Sequence, residues 1–197
     1  MSDFAVLELD PGAHQHRSRL LEGMAHAVAA KGYAETTIAD IVREASVSRR
    51  TFYEHFSTKA DCLVALYDAA SRNALKVLRE AIDPARDWEA QVENATAAYL
   101  GAMAANPVLL RTLYIEILGL GPVGLAARRR VNQEIADFIV AVVGAGHGRA
   151  LAPELAMAIV GGINELVLQY IEQDRVEHLQ EVVAPASRLV RAVAGTH

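Results

Sequence analysis

The fold of this chain is decided between Thr36 and Lys59, where the sequence reads TTIADIVREASVSRRTFYEHFSTK. Apolar residues recur at helical spacing on both sides of a short break. Thr37 and Asp40 have the spacing of a capping box, and Ser48 stands where it can cap a following helix. The stretch therefore predicts two short helices joined by a tight turn, the arrangement that presents a recognition helix to the major groove of DNA.

The two faces of these helices carry different chemistry. We expect an apolar inner face formed by Ile38, Ile41, Val42, Ala45, Val47, Phe52 and Phe56. The outer face of the second helix carries Arg49, Arg50 and Tyr53. Arginine can donate two hydrogen bonds to O6 and N7 of guanine, whereas hydroxyl and imidazole groups suit phosphate oxygens. Capped helix pairs with surface arginines also occur in helical proteins that bind no DNA, so the spacing alone leaves both interpretations open.

Charge and composition agree with a small DNA-contacting module on an acidic body. The 197 residues carry a formal charge of -5, yet residues 14–60 hold seven Lys/Arg against five Asp/Glu. The single cysteine excludes an internal disulfide framework. No signal-peptide pattern and no confident membrane span appears in the sequence, so we expect a cytoplasmic protein with no membrane partner.

Helical periodicity extends along the whole chain and predicts an all-α fold of about nine helices. Caps, prolines and glycines divide the chain into helices over about 15–31, after Thr37, after Ser48, and over about 59–82, 87–105, 107–118, 122–143, 153–173 and 174–193. Gly32 is expected to end the first helix, residues 144–148 to form a loop, and residues 174–177 to form a second capping box. We expect a flexible arm over residues 1–13, a DNA-binding domain over 14–60, and a larger helical domain over 61–197.

Two sequence strings resemble a known family. Gly-Tyr-x-x-Thr-Thr-Ile begins at Gly32, and Val-Ser-x-x-Thr-Phe-Tyr-x-His-Phe-x-x-Lys ends at Lys59. Together they resemble the DNA-binding domain of the TetR/AcrR family of bacterial regulators. The resemblance implies DNA contacts from Thr36, Thr37, Ser48, Arg49, Arg50, Thr51, Tyr53, His55 and Lys59. Many members carry a small residue where this chain has Arg50, so the resemblance does not imply a particular operator sequence.

The resemblance also implies that the later helices bind a small effector and form a homodimer. Residues compatible with a pocket for an apolar or aromatic effector are Trp88, Tyr99, Met103, Leu110, Tyr114, Ile117 and Phe138, with Arg111, Glu116 or Asn132 as polar fixtures. An aromatic stripe at helical spacing is also the usual composition of a plain core, so this alternative stays open.

The last two predicted helices carry apolar stripes that need a partner. We expect a two-fold, four-helix dimer interface formed by Ile159, Ile163, Leu166, Tyr170, Leu179, Val182, Val183, Ala186, Leu189 and Val190. Packing of these stripes inside one protomer is the alternative.

These observations predict a ligand-responsive, DNA-binding transcriptional regulator. We expect a repressor that binds a palindromic operator in double-stranded DNA as a homodimer, modulated by a small-molecule effector. The alternative is a helical ligand-binding or protein-interaction module without specific DNA binding. No nucleophile turn, dinucleotide fingerprint or metal-ligand spacing appears, so we expect neither an enzyme nor a cofactor or metal.

Overall fold

The computed structural model of the chain describes residues 15–147 and 150–195. The predicted arm over residues 1–13 lies outside these ranges. Nine α-helices account for most of the described residues: α1 Gln15–Glu35, α2 Ile38–Glu44, α3 Arg49–His55, α4 Lys59–Glu80, α5 Trp88–Ala104, α6 Pro107–Arg111, α7 Pro122–His147, α8 Pro153–Glu172 and α9 Val183–Gly195. No strand occurs within the described ranges, and the all-α prediction is confirmed.

The first three helices and the start of α4 share one apolar core. Its most deeply buried members are Leu20, Leu21, Met24, Ile41, Phe52, Leu63 and Leu66. At Gly23, α1 comes so close to α2 that an added Cβ would lie 2.6 Å from the Ile41 carbonyl oxygen. Glycine is therefore the residue that lets these two helices touch backbone to backbone.

The helical geometry of α1 is interrupted at Gly32. This residue has a φ of 78° and a ψ of 160°, values that residues with a side chain rarely adopt. The chain turns here toward α2, which begins at Ile38 after its cap at Thr37. The predicted helix end at Gly32 thus corresponds to a break inside α1.

Pro107 begins a helix as expected, but this helix does not continue regularly to residue 118. Five residues of α-helix pass into a π-helical segment, Thr112–Glu116, and then into a 3₁₀ segment, Leu118–Leu120. The Glu116 carboxylate accepts a hydrogen bond of 3.1 Å from the Tyr33 amide, at the break in α1. Hydrophobic periodicity does not reveal such a change of helical pitch.

Two sequence-based expectations near the chain end are wrong. The predicted loop at residue 144 is helical, because α7 continues to His147. The predicted helix start at Asp174 is also wrong, since Asp174 has a φ of 56° in the left-handed region and the next element begins at Val176 without a side-chain cap. The Asp174 amide donates to the Ile171 carbonyl, and the Arg175 amide donates to the Tyr170 carbonyl at 2.8 Å. These bonds make a Schellman motif that ends α8, and a 3₁₀ segment, Val176–Val182, leads into α9.

The described residues pack into two compact units. One unit comprises the described parts of residues 1–73 and 108–128, and the other those of residues 74–107 and 129–197. In the second unit, α5 packs against α9 and the Val176–Val182 segment, and α8 packs against the same two elements. The division after residue 60 stays a prediction about domains.

Within the described residues, α8 is long and apolar enough to cross a membrane by length and composition alone. The mean hydropathy of its most apolar window is 1.3, yet only 28% of that window is buried inside the protomer. The bent pair formed by α5 and the segment from Pro107 to Leu120 passes the same test. One or two such helices are also common in the cores of soluble proteins.

Candidate nucleic-acid interface

Helix α3 occupies the position of a recognition helix, and its first turn is capped as predicted. The Ser48 hydroxyl accepts a hydrogen bond of 3.0 Å from the Thr51 amide. The two hydroxyls of Ser48 and Thr51 lie 2.9 Å apart and share a second bond. The cap satisfies one of the amide groups that the first turn leaves without helical partners, which favours formation of α3 although it is only seven residues long.

Two phenylalanines fix the orientation of α3. Phe52 is fully buried, and Phe56, at the helix C-cap, is nearly so. Their ring centroids lie 5.8 Å apart, as expected for residues one turn apart on the same face. The opposite face must then face solvent, and it carries Tyr53, whose side chain is 60% exposed.

The two arginines at the start of α3 are both exposed, but their surroundings differ. Arg50 Nε donates to Glu54 Oε1 at 3.0 Å, and the Arg50 side chain remains 90% exposed. Such an exposed pair one helical turn apart is weak, about 0.3–0.5 kcal/mol, so a phosphate or base can replace it. Among the described residues, Arg49 has no ion-pair partner. Arg49 is therefore the arginine whose donors are available to a base edge.

The N-terminus of α2 is held by a cluster of charges around Asp40. The Thr37 hydroxyl accepts from the Asp40 amide, while the Asp40 carboxylate accepts from the Thr37 amide at 2.9 Å, which completes the predicted capping box. Lys31 Nζ lies 2.6 Å from the carboxylate and Arg43 Nη1 lies 3.1 Å from it. The hydrogen bond from Lys31, followed by those from Thr37, lowers the pKa of Asp40 well below its usual range.

This pKa shift predicts an acid-sensitive α2. Because the pKa of Asp40 is lower in the folded chain, the stabilisation by its carboxylate is complete above the unfolded-state value of about 4. It is lost as the pH falls from there toward the folded-state pKa. In thermal melts of wild type and Asp40→Asn, we expect wild type to be more stable at pH 7 and the gap to shrink by pH 3. A gap that stays constant over this range would contradict the assignment.

The Thr36 side chain does not have the exposed surface that the predicted DNA contact requires. Thr36 is 1% exposed, and its hydroxyl donates to the Gly32 carbonyl at 2.7 Å. This bond closes the turn between α1 and α2, which is a structural role. The adjacent Thr37 is exposed.

Lys59 makes contacts within the chain that the sequence did not predict, while its contact with phosphate stays a prediction. Its ammonium group donates to the carbonyls of Tyr33, Ala34 and Thr36 at 2.9, 3.2 and 2.8 Å. The same nitrogen lies 4.4 Å from the centroid of the Tyr33 ring. All three ammonium donors are thus directed to carbonyls at the end of α1, so Lys59 ties the start of α4 to the α1–α2 connection.

The remaining DNA-contact predictions fall on accessible groups. Ser48 is exposed, and Thr51 and His55 are half-buried. The His55 ring lies 6.5 Å from the ring of His16 on α1. Contact of these side chains with phosphate stays a prediction.

One supporting residue was missed by the sequence reasoning. Arg19 Nη2 donates at 2.7 Å to the carbonyl of Ser46, which has a φ of 50° in the turn between α2 and α3. The bond links α1 to the turn that sets the angle between these two helices. No local sequence signal marks a partner that lies 27 residues away.

A second candidate site is an apolar cavity within the unit formed by residues 74–107 and 129–195. Its volume is about 70 Å³, and it is half-open. The lining includes Leu78, Ile82, Val92, Val142, Ile163 and Val190, together with Trp88, Tyr99 and Phe138 from the predicted set. Contact of these three aromatic residues with an effector stays a prediction.

The other predicted pocket residues do not line this cavity. Leu110 and Ile117 are buried in the unit that contains α1 to α3. Tyr114 belongs to the same unit, and Met103 is half-buried outside the lining. Of the three polar fixtures, Glu116 binds the Tyr33 amide and Asn132 accepts from Asn164 at 3.2 Å. Arg111 is exposed and belongs to the unit that contains α1 to α3. Helical spacing assigns each of these residues to a helix face, but it does not show which elements that face packs against.

Half of the predicted dimer residues are covered within one protomer. These buried residues are Ile159, Leu179, Val182, Ala186 and Val190. Most of their surface is already covered by their own chain, and their contact with a partner stays a prediction. Ile163, Leu166, Tyr170, Val183 and Leu189 are only half-buried.

The segment that contains α2 and α3 is similar in sequence to known proteins. Residues 20–66 match the family model described as bacterial regulatory proteins of the tetR family. The transcriptional regulator TtgR of Pseudomonas putida is 39% identical over 57 residues, which are 29% of this chain and 27% of TtgR. The chain thus matches about a quarter of the length of this curated relative.

Solved structures extend the likeness to nearly the whole fold. The regulator FadR of Bacillus subtilis, solved with stearoyl-CoA, has a TM-score of 0.76 at 17% identity over 91% of this chain and 98% of that one. A putative TetR-family regulator of Syntrophomonas wolfei has a TM-score of 0.76 at 19% identity over 94% of this chain and 98% of that one. At these identities the likeness establishes the fold alone.

Proposed function

We propose that this chain is a TetR-family regulator whose DNA-binding domain contains the matched residues 20–66, and that it is a homodimeric repressor that binds a palindromic operator and responds to an apolar effector. The curated proteins matched by this segment are transcriptional regulators, which supports that class over the enzymes.

The observation that carries the proposal is the outward face of α3. Phe52 and Phe56 anchor α3 to the core, and Ser48 caps the start of the helix. The face left outside presents Arg49 and Tyr53 without a covering element. A rigid helix with an accessible arginine in its first turn is the geometry that reads base edges in the major groove.

The exposed surface of α8 supports the dimer. This helix is the most apolar of the described long helices, yet only 28% of its most apolar window is buried within its own protomer, and Leu166 and Tyr170 remain half-buried. Gly161 faces open space, with no atom within 4 Å of an added Cβ, so a second backbone can approach it closely. We place the interface on the uncovered face of α8 with half-buried Leu166 and Leu189 at its margin. Two copies related by a two-fold axis would present two α3 helices to half-sites about 34–36 Å apart.

The cavity supports an effector with an apolar body. Its lining is almost wholly hydrocarbon and aromatic, and similar linings hold small ligands in many proteins. FadR of Bacillus subtilis was solved with stearoyl-CoA, whose acyl chain is a body of this kind. To move the regulator decisively between two states, an effector must prefer one of them by roughly 5 kcal/mol.

Fluorescence anisotropy with the full chain and duplexes from the region upstream of its own gene tests the proposal. We expect tight binding to a palindromic duplex, weaker binding to a scrambled duplex of equal length, and affinity that falls steeply with salt. Equal, weak binding to both duplexes would favour the alternative, a helical module without specific DNA binding. A ligand that raises the melting temperature but leaves an already weak DNA affinity unchanged would support that alternative further.

A further inference from the structure

The cavity contains no group that could neutralise a charged ligand. None of its lining residues carries a charge. The Thr96 hydroxyl in the lining already donates to the Val92 carbonyl at 2.7 Å. Moving an isolated charge from water into such surroundings is strongly unfavourable. Any charged part of an effector must therefore stay outside the cavity.

One cation lies against the edge of this cavity. Arg79 is exposed on α4, between the lining residues Leu78 and Ile82. Its guanidinium carbon lies 6.0 Å from the ring centroid of Phe138, which is itself a half-buried lining residue. Arg79 thus lies against the Phe138 ring, and the same ring lines the cavity.

The neighbouring cations are already paired. Lys76 lies 3.9 Å from Glu80, and Arg86 lies 3.5 Å from Asp83. Among the described residues, Arg79 has no carboxylate partner. Its planar guanidinium can donate two parallel bonds to a carboxylate or phosphate, which a single ammonium group cannot do.

From these observations we infer that the effector is an amphipathic anion whose apolar part enters the cavity and whose anionic group is bound by Arg79 at the cavity edge. This inference rests on the proposed effector function and specifies the chemical class of the effector. The apolar part avoids water, and the anion keeps part of its hydration while it pairs with the guanidinium. Because Arg79 lies in the last turn of α4, the headgroup would act directly on that helix.

The alternative role for Arg79 is only to cover Phe138 with its aliphatic stem. The two roles differ in what they predict for charge. A covering role affects neutral and anionic ligands alike, whereas a headgroup site affects the anion selectively.

Intrinsic fluorescence provides the test, because Trp88 lines the cavity and is the single tryptophan of the chain. The full chain, without DNA, is titrated with decanoate and with 1-decanol, which share one alkyl chain and differ in charge. The titrations are repeated with Arg79→Gln and with the matched control Lys76→Gln. We expect Arg79→Gln to weaken decanoate binding by at least about fivefold and 1-decanol binding by less than about twofold. Lys76→Gln should change neither by more than about twofold.

Three results would overturn the inference. These are equal losses for both probes in Arg79→Gln, an equal loss of decanoate binding in Lys76→Gln, and no Trp88 response to either probe in wild type. A fourth result, binding of 1-decanol but not decanoate to wild type, would also overturn the inference, but it would leave the apolar effector of the proposed function intact. Since no DNA is present, these results are independent of whether the chain binds an operator.

Discussion

Replacing Phe52 by alanine is expected to destabilise the chain by about 3–5 kcal/mol, the usual cost of removing a buried aromatic ring. Phe52 has no exposed surface and packs against Phe56 in the core beneath α3. The loss includes the burial of the ring and the cavity left behind, because α3 is too short to reorganise around it. A domain with a total stability of about 5–15 kcal/mol would lose a large part of it.

The neighbouring Tyr53→Ala provides the control. Tyr53 is 60% exposed and loses mainly its edge-on contact with Phe52, so its removal should cost only about 0.5–1.5 kcal/mol. Urea unfolding of the full chain, followed by far-UV circular dichroism, measures both variants. Similar midpoints for Phe52→Ala and wild type would show that α3 is not anchored by this ring.

Replacing Arg49 by alanine is expected to remove sequence preference, not all DNA binding. The variant should lose about 1–3 kcal/mol of discrimination between the operator and a duplex changed at one base pair. Its binding to unrelated duplexes should change little by comparison, because the phosphate contacts of other residues remain. Anisotropy titrations of wild type and variant with both duplexes, at one fixed salt concentration, provide the measurement.

Arg50→Ala is the matched control for this experiment. Its guanidinium is paired with Glu54 and strongly exposed, so we expect a smaller and less sequence-dependent effect than for Arg49. A larger loss of discrimination in Arg50→Ala would reverse the roles of the two arginines. An equal loss of affinity on every duplex in Arg49→Ala would instead make Arg49 a phosphate contact.

Features decided by neighbouring residues could be predicted from the sequence. The capping box of Thr37 and Asp40 and the cap at Ser48 depend only on residues three positions apart, and the structure contains both. The same spacing at residues 174–177 failed, because α8 ends there in a Schellman motif that places Asp174 in the left-handed region. Spacing cannot tell whether a residue ends one helix or begins the next.

Features decided by distant residues could not be predicted. Lys59 has the position of a phosphate contact in the sequence, but three carbonyls from residues 33–36 take its donors. Thr36 and Thr37 are adjacent and chemically alike, yet only Thr37 is exposed. These differences arise from the turn at Gly32, whose direction the sequence does not specify.

The apolar stripes show the same limit. Helical periodicity correctly marked Leu179 and Ile159 as residues that need a partner, but it could not say that the partner is their own chain. It likewise placed Trp88 and Ile117 in one predicted pocket, although only Trp88 lines the cavity. Arg79 was not singled out, because its significance depends on Phe138, which lies 59 positions later in the chain.

Footprinting on the DNA upstream of the chain's own gene shows whether α3 reads an operator, because it reports which base pairs are protected. Base-specific protection in the major groove is measured with the full wild-type chain and with Arg49→Ala. We expect two protected half-sites related by a palindrome, with centres about 10–10.5 base pairs or a multiple of that apart. The base-specific protection of both half-sites should be lost in Arg49→Ala. Two results would contradict this account. One is a lack of protection at every protein concentration, and the other is protection that falls at no fixed sequence and is unchanged in Arg49→Ala.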